Sequence, residues 1–312
     1  EESYEWLKEN RSKITIFSAG SSLGSLLSNG IKPDFAVMLE MSHLVYESLI
    51  DYSKDKNTYK GITLVSPLTI DPRVSGLFES QVIFHRPLSS TMAFFPNEIN
   101  SALIQAGPQV ANAAFEVIAE IGFKNILLLG VEFSGPSKTE TRVKNALGMS
   151  ERNFQLPMMG RNRKTVFTSP DLSVSSQCLQ SAIDYYKKNI YSPAHGLALE
   201  NVNIIDLASY APTNTEMITA DDIIAPFNDR QVYSAEELIE KLSQIEKKSV
   251  DYKSALIDLI KDHNEWCLSL SRSLSQYLNV GYSNEDSNDV FIKRMTRFPL
   301  FFIIQTLRDQ KL

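Results

Sequence analysis

Three turns in the sequence carry residues whose types and spacing suit the binding of a ligand. The first holds Gly20, Ser21 and Ser22 after a short apolar run. Small residues let backbone N–H groups approach a phosphate, and the N-terminus of a following helix adds the positive end of its dipole. Such residues also cap helices where no ligand binds. Both interpretations stay open for this turn.

The second turn holds Gly107 and Pro108 before an amphipathic stretch that ends at Ile121. Pro108 suits the first position of a helix, and Gly107 permits the close approach of a phosphate or a carboxylate. Asn112, on the first turn of that helix, is placed to hydrogen-bond a nucleotide or a sugar hydroxyl. The alternative is a well-started helix without a ligand.

The third turn places Glu132 after the most apolar run of the chain, Ile126 to Leu129. A carboxylate at the carboxyl end of a strand can bind a ribose, position an acceptor or ligate a metal. Glu132 is therefore the candidate catalytic residue. Glu40 occupies the equivalent place after the run Phe35 to Leu39. The alternative for both is a solvated glutamate at a strand end.

The stretch between Glu132 and Pro170 has little periodicity and is rich in Gly, Pro, Ser, Thr, Asn, Arg and Lys. A loop of this length is rare in a compact fold, so we expect a lid or a substrate loop. Its cations and hydroxyls suit a diphosphate or a sugar carboxylate. They are Arg161, Arg163, Lys164, Thr165, Thr168 and Ser169. Solvated loop charge is the alternative.

Short apolar runs rich in β-branched residues must position these turns. They are Ile14 to Phe17, Phe35 to Leu39, Ile62 to Val65, Val82 to Phe84, Ile126 to Leu129 and Val202 to Ile205. Continuous apolar runs are typical of strands buried on both faces, and amphipathic stretches separate several of them. The alternation predicts an α/β fold with an open, mostly parallel, doubly wound, Rossmann-like sheet.

The character of the sequence changes after about Phe227. Ser234 and Glu237 form a capping box, and leucine and isoleucine then recur at helical spacing. We therefore predict a Rossmann-like domain over residues 1–227 and a helical C-terminal domain over residues 228–312.

Composition and motifs exclude several classes of function. The net charge of -6 argues against a nucleic-acid partner, and no apolar run is long enough to cross a membrane. No export signal is visible, so we expect a cytoplasmic protein without a membrane partner. The four histidines lack ligand spacing, and no Walker loop or dinucleotide fingerprint is present. We expect neither a metal nor a tightly bound cofactor.

Three blocks of sequence carry a resemblance to a known family. The segment from Ile16 through Leu23 to Phe35 contains a small-residue turn, a leucine pair and Gly-Ile-Lys-Pro-Asp before a strand. It resembles the core domain of motility accessory factors, with Glu40 standing where that family usually has Asp. The block from Gly107 to Phe133 is similar both to that family and to bacterial sialyltransferases. Thr165 to Ser169 also resembles a segment of the family that precedes a helix.

The resemblance implies a glycosyltransferase. Such an enzyme would transfer a nonulosonic acid, of the pseudaminic, legionaminic or sialic type, from its CMP-sugar to Ser or Thr of flagellin before export. Flagellin and the CMP-sugar would then be its partners, and flagellum assembly and motility would depend on it. The general base stays unassigned, because sialyltransferases use a His, whereas no His follows Glu132 closely in this chain.

The family also has a Gly-Pro-Ser-Leu loop one helix before the small-residue turn. The resemblance therefore predicts that a first strand and this loop precede Glu1 in a longer polypeptide. Two alternatives remain open. One is an enzyme like 6-hydroxymethylpterin diphosphokinase, since the same domain family has such a branch, and the other is a non-catalytic scaffold that binds flagellin.

Overall fold

The computed structural model describes residues 2–55, 57–86, 102–139, 145–148, 154–212, 220–224 and 240. The chain divides into two compact units, Glu1–Gln231 and Val232–Leu312. Nearly all of the second unit lies outside the described residues, including the capping box predicted at Ser234 and Glu237. The helical C-terminal domain therefore stays a prediction.

The first half of the described chain forms a four-stranded parallel sheet in the order β1-β2-β3-β4. Its strands are β1 (Phe17–Ala19), β2 (Phe35–Val37), β3 (Thr63–Pro67) and β4 (Ser80–Phe84). Three helices connect them, namely α2 (Ser22–Ser28), α3 (His43–Tyr52) and α4 (Pro72–Ser75). The sheet edge at the carboxyl ends of these strands is called the first edge below.

Helices cover both faces of this sheet. The three connecting helices contact one face through Leu23, Leu49 and Val74, one residue from each. Helix α5 (Val110–Ile121) covers the other face through Ala113 and Val117. Since successive side chains of a strand point to opposite faces, both sides of β2 and β3 are buried, as their apolar runs predicted.

A second parallel sheet has the order β5-β8-β9. Its strands are β5 (Asn125–Leu127), β8 (Asn189–Ser192) and β9 (Val202–Ile204). Helix α6 (Pro170–Tyr186) packs on it through Leu179 and Ile183, and helix α1 (Glu2–Glu9) contributes Trp6 and Leu7 to a cluster that contacts Leu127. The sheet edge at the carboxyl ends of these strands is called the second edge.

The long loop predicted between Glu132 and Pro170 contains a β-hairpin instead of irregular structure alone. Strand β6 (Leu156–Met159) pairs antiparallel with β7 (Thr165–Thr168). The Gly160 N–H donates to the Lys164 carbonyl at 2.8 Å and closes the turn. The hairpin was not predicted because Pro157 and the two methionines are not typical of a strand.

Helix starts follow local capping, with one correction. Helix α3 begins after Ser42, whose hydroxyl accepts from the Leu44 N–H at 3.2 Å. The prediction that Pro108 starts helix α5 is wrong. Gln109 is extended and forms the N-cap, and the helix begins at Val110. The remaining short helices are the 3-10 turn Arg11–Lys13 and α7 (Ala220–Ile224).

The α/β fold class with mostly parallel strands is confirmed, although the described strands form two parallel sheets and a hairpin where one sheet was predicted. All six predicted runs contain strand residues, and β1 begins at the last residue of its run. Strand β8 was missed because Asn189–Ser192 is short and only half apolar. Among the described residues, none of the helices has the length and apolarity needed to cross a membrane.

Candidate active site

A pocket of about 460 Å³ opens at the second edge. It is lined by residues 128–132 after β5, residues 192–195 at the end of β8 and residues 204–207 at the end of β9, with Ser3 and Arg161. Ligands of open α/β sheets bind beyond the carboxyl ends of the strands, and this pocket has that position. The predicted site residues Glu132 and Arg161 both line it.

Arg161 reaches the pocket from the turn of the β6–β7 hairpin. Its guanidinium donates to the Leu197 carbonyl at 3.0 Å, to the Val131 carbonyl at 2.8 Å and to the Ser192 hydroxyl. None of these acceptors is a carboxylate. Three of its five N–H donors are thus used by the fold, and the other two have no acceptor in the part of the chain that the structure describes.

The charge of Arg161 is only partly compensated. Burial lowers the pKa of Arg161 to about 10, while the nearby charge of Glu132 acts in the opposite direction. In the described residues, neither a hydrogen bond nor an ion pair joins the Glu132 carboxylate to it. A desolvated cation of this kind attracts anionic oxygens, and a guanidinium can hold a phosphate or a carboxylate with two parallel hydrogen bonds.

The wall of the pocket is held by a close backbone contact. Gly196 has φ +94°, and a Cβ atom there would lie 2.6 Å from the Glu132 Cα and 2.7 Å from its carbonyl oxygen. The Leu197 N–H donates to the Glu132 carbonyl at 2.9 Å, and the Arg161 N–H donates to the Gly196 carbonyl at 2.9 Å. The loop after β8 therefore fixes the backbone of both predicted residues.

The structure adds two titratable residues that the sequence did not single out. His195 and Asp206 line the same pocket, and both are exposed. Each follows a strand of the second sheet, which is the one signal that could have found them. The sequence left His195 unassigned as a base because it lies far along the chain from Glu132, and its place in the pocket follows from strand β8, which was not predicted. Within the described residues, no group of three or more His, Cys, Asp or Glu side chains could hold a metal ion.

The small-residue turn lies at the first edge, against the start of helix α5. A Cβ atom on Gly20 would lie 2.9 Å from Val110 Cγ1. The Gly20 N–H already donates to the Val37 carbonyl at 2.8 Å, and the Ser22 hydroxyl bonds to both backbone groups of Ala19. The Ser21 carbonyl accepts from the Leu147 N–H at 2.9 Å. Much of the polar capacity of this turn is therefore used within the fold.

The other predicted residues of the first edge are dispersed around it. Gly107 lies beside the Arg86 guanidinium, 3.6 Å from the position of a Cβ atom, and Pro108 is exposed just before helix α5. Glu40 is exposed beyond the end of β2. The first-edge residues named here do not line the pocket of the second edge.

Three residues predicted as ligand contacts are largely buried and hydrogen-bonded within the fold. Asn112 is 1% exposed, and its side chain donates to the Ser175 carbonyl of helix α6 at 2.9 Å. Thr168 is fully buried and donates to the Phe133 carbonyl at 2.6 Å. The Ser169 hydroxyl donates to the carboxylate of Asp171. Their donors are thus used within the fold, whereas the buried Asn112 Oδ1 atom has no hydrogen-bond partner among the described residues.

Comparisons with known proteins agree with this architecture. A family model described as 6-hydroxymethylpterin diphosphokinase MptE-like matches residues 1–138. The solved structure of a MAf glycosyltransferase from Magnetospirillum magneticum AMB-1 is similar, with a TM-score of 0.59 and 27% identity. The match covers 72% of this chain and 33% of that chain, so this chain spans about a third of the length of that protein.

Among curated proteins, none matches the chain. The resemblance predicted from the sequence is nevertheless confirmed: this chain is similar to the MptE-like family over its first 138 residues and to a MAf glycosyltransferase over 72% of its length.

Proposed function

We propose that this chain provides the sugar-nucleotide site of a glycosyltransferase. The observation that carries the proposal is the half-buried Arg161 guanidinium, which lies in a pocket at the carboxyl edge of a parallel sheet and bonds to no carboxylate among the described residues. A phosphate or a sugar carboxylate supplies the anionic oxygens that this cation lacks. The similarity to a MAf glycosyltransferase supports the same class of reaction.

In the proposed reaction a nonulosonic acid leaves its CMP conjugate and joins a Ser or Thr hydroxyl. The transition state has oxocarbenium character, and negative charge develops on the departing phosphate. A fixed cation such as Arg161 stabilises that charge without reorganising. The Gly20 and Gly107 turns lie at the first edge, outside this pocket, and stay predicted anion contacts beside the start of helix α5 and Arg86.

The acceptor hydroxyl must lose a proton during transfer. Glu132 is the base proposed from its place in the sequence, and it would also bind the ribose or the acceptor. His195 lines the same pocket and offers an imidazole for the same task. Glu132→Gln and His195→Asn separate these roles, because loss of the base reduces the transfer rate at unchanged CMP affinity, whereas loss of a ribose contact also weakens CMP binding.

The finer assignment follows the family resemblance. We propose flagellin as the acceptor, the cytoplasm as the compartment and the CMP-activated sugar as a substrate instead of a resident cofactor. Intact-mass measurement of flagellin from a strain that lacks the gene tests this. Loss of sugar-sized increments is expected, and unchanged flagellin mass would contradict the acceptor assignment.

Isothermal titration with CMP tests the nucleotide part. We expect Arg161→Gln to weaken binding by about tenfold to a hundredfold, the worth of one or two charge-assisted hydrogen bonds. Lys124→Gln is the matched control, because Lys124 is exposed at the amino end of strand β5, opposite the pocket. Equal affinities for the two variants would exclude Arg161 as the anion ligand, and no CMP binding by the unaltered protein would refute the nucleotide site.

The family match favours a second candidate, diphosphoryl transfer from ATP to the alcohol of 6-hydroxymethylpterin. That reaction needs a divalent metal as a partner of the triphosphate. Incubation with ATP, Mg²⁺ and 6-hydroxymethylpterin tests it, because this reaction alone releases AMP in proportion to the pterin consumed.

A further inference from the structure

The strand β6 exposes an unusual number of apolar side chains beside the pocket. Met159 is 61% exposed, Leu156 is 40% exposed and Met158 is 38% exposed. The turn that follows β6 adds two exposed cations, Arg163 and Lys164. These five residues are called the hairpin surface. Successive side chains of a strand alternate, so Leu156 and Met158 lie on one face of the hairpin and Met159 on the other. Exposed apolar residues gathered on one element are typical of a binding surface.

The hairpin surface is continuous with the pocket. Met159 is the last residue of β6, and Arg161 follows two residues later in the turn of the hairpin. The Met159 carbonyl accepts from the Ala198 N–H at 3.0 Å, and Gly160 pairs with Leu197. The residues just before these, 192–195, line the pocket. A molecule that rests on Met159 therefore stands at the pocket mouth.

The proposed contact would be made by side chains and not by pairing of a peptide strand with β6. Pro157 has no N–H to offer on β6, and the Met159 carbonyl is already bonded. An extended peptide consequently finds no regular row of backbone donors and acceptors along this strand. The affinity would therefore come from apolar burial on Met159, Met158 and Leu156 and from ion pairs to Arg163 and Lys164.

We propose that the hairpin surface docks the acceptor polypeptide, through a segment that combines apolar side chains with carboxylates. The inference rests on the proposed function in one respect, that the acceptor is a polypeptide. A Ser or Thr hydroxyl is only two bonds from its Cα atom, so an acceptor backbone must come to the pocket mouth and contact its rim. The two exposed cations select carboxylates on the incoming segment by charge complementarity.

A polypeptide fits this surface better than an anionic lipid bilayer does. The hairpin cations are two charges on a chain whose net charge is -6, and a bilayer presents its negative potential to the whole molecule. A short segment meets only the local positive charge. Binding to vesicles is therefore an outcome of the test and not the expectation.

Fluorescence anisotropy with two labelled synthetic peptides tests the proposal. Both have the same leucines and one serine, and they differ in carrying either four glutamates or four lysines. We expect the glutamate peptide to bind the full-length protein about tenfold more tightly than the lysine peptide. Equal binding of the two peptides, or no binding of the glutamate peptide, would overturn the proposal.

Two variants separate the apolar and the ionic parts. Met159→Ser should weaken binding of the glutamate peptide about tenfold, and Lys164→Glu should reduce the preference for glutamate over lysine. Leu44→Asp on helix α3 is the control, since Leu44 is 57% exposed and lies outside the hairpin surface. Unchanged binding by Met159→Ser, or equal loss by Leu44→Asp, would remove the hairpin from the contact.

Two further measurements distinguish failure of the docking proposal from failure of the proposed nucleotide site. Titration with CMP should be unaffected by Met159→Ser, so loss of peptide binding with intact CMP binding concerns the docking surface alone. Absence of CMP binding with intact peptide binding would refute the nucleotide site alone. Co-sedimentation with phosphatidylglycerol vesicles that depends on Met159, without peptide binding, would replace the polypeptide by a lipid surface.

Discussion

The carboxyl edges of the two parallel sheets differ in the polar groups that they present. At the first edge the Gly20 N–H donates to the Val37 carbonyl, and the Ser22 hydroxyl bonds to Ala19. That edge consists mostly of backbone, and its small side chains serve the turn itself. The start of helix α5 and the Arg86 guanidinium beside Gly107 are what it offers to an anion.

The second edge presents ionisable side chains around a pocket. Arg161 is anchored by three neutral acceptors, and Glu132, His195 and Asp206 line the same space. Burying a cation without a carboxylate partner costs stability, and such a cost is typical of a group held ready for a ligand. A polar group whose hydrogen bonds are all made within the fold supports the structure. A polar group at a pocket that still has unused donors is suited to binding a ligand.

The largest expected effect comes from a substitution that disturbs only the second edge. Gly196→Ala would place a Cβ atom 2.6 Å from Glu132 Cα at a φ of +94°. We expect the free energy of unfolding to fall by about 2–5 kcal/mol from backbone strain and overpacking, measured by urea denaturation. Gly30→Ala is the control, because Gly30 has φ +72° with nothing within 4 Å, so only strain of about 1–2 kcal/mol is expected. Equal losses would show that the Glu132 contact is unimportant.

A medium effect tests whether a buried hydroxyl next to the second edge is structural. Thr168→Val removes the donor to the Phe133 carbonyl and leaves that buried acceptor unpaired. We expect a loss of about 1–2 kcal/mol in the free energy of unfolding with unchanged CMP affinity. Weaker CMP binding at unchanged stability would restore Thr168 to the ligand site.

The smallest effect concerns the support of the first edge. Glu116 is 2% exposed and accepts from the Gln105 N–H at 2.8 Å, which ties the segment before Gly107 to helix α5. Burial raises the pKa of Glu116, against the hydrogen bonds from Gln105 and Tyr186. A carboxyl with a raised folded pKa keeps its proton better when folded, so stability falls as pH rises from its ordinary pKa towards the raised one.

Glu116→Gln cannot ionise, so its unfolding free energy should fall less over that interval of pH. Urea denaturation from about pH 4 to 8 measures the two slopes. Glu79→Gln is the control, because Glu79 is exposed and pairs with Lys60 on the surface. Identical slopes for the unaltered protein and Glu116→Gln would remove this carboxyl from the pH dependence.

Much of the fold and part of the site followed from local patterns. Apolar runs predicted β2 and β3 because a strand buried on both faces must be apolar throughout. The runs at β4 and β9 also predicted strands, although these two strands are only partly buried. Glu132 was predicted for a sheet edge because it comes after such a run. The burial of Asn112 and Thr168 could not be predicted, since a polar residue near a strand end looks the same whether it faces solvent or a neighbouring helix.

The sequence by itself determined the α/β class, the parallel strands and the presence of Glu132 and Arg161 as candidates, because hydrophobic periodicity and turn chemistry act over a few residues. Only the tertiary structure decided that the hairpin carries Arg161 to the end of β8, where His195 and Asp206 also arrive. That convergence depends on which strands pair across long separations in the chain. Strand pairing is fixed by the packing of the whole sheet, so it cannot be predicted from any one segment of the sequence.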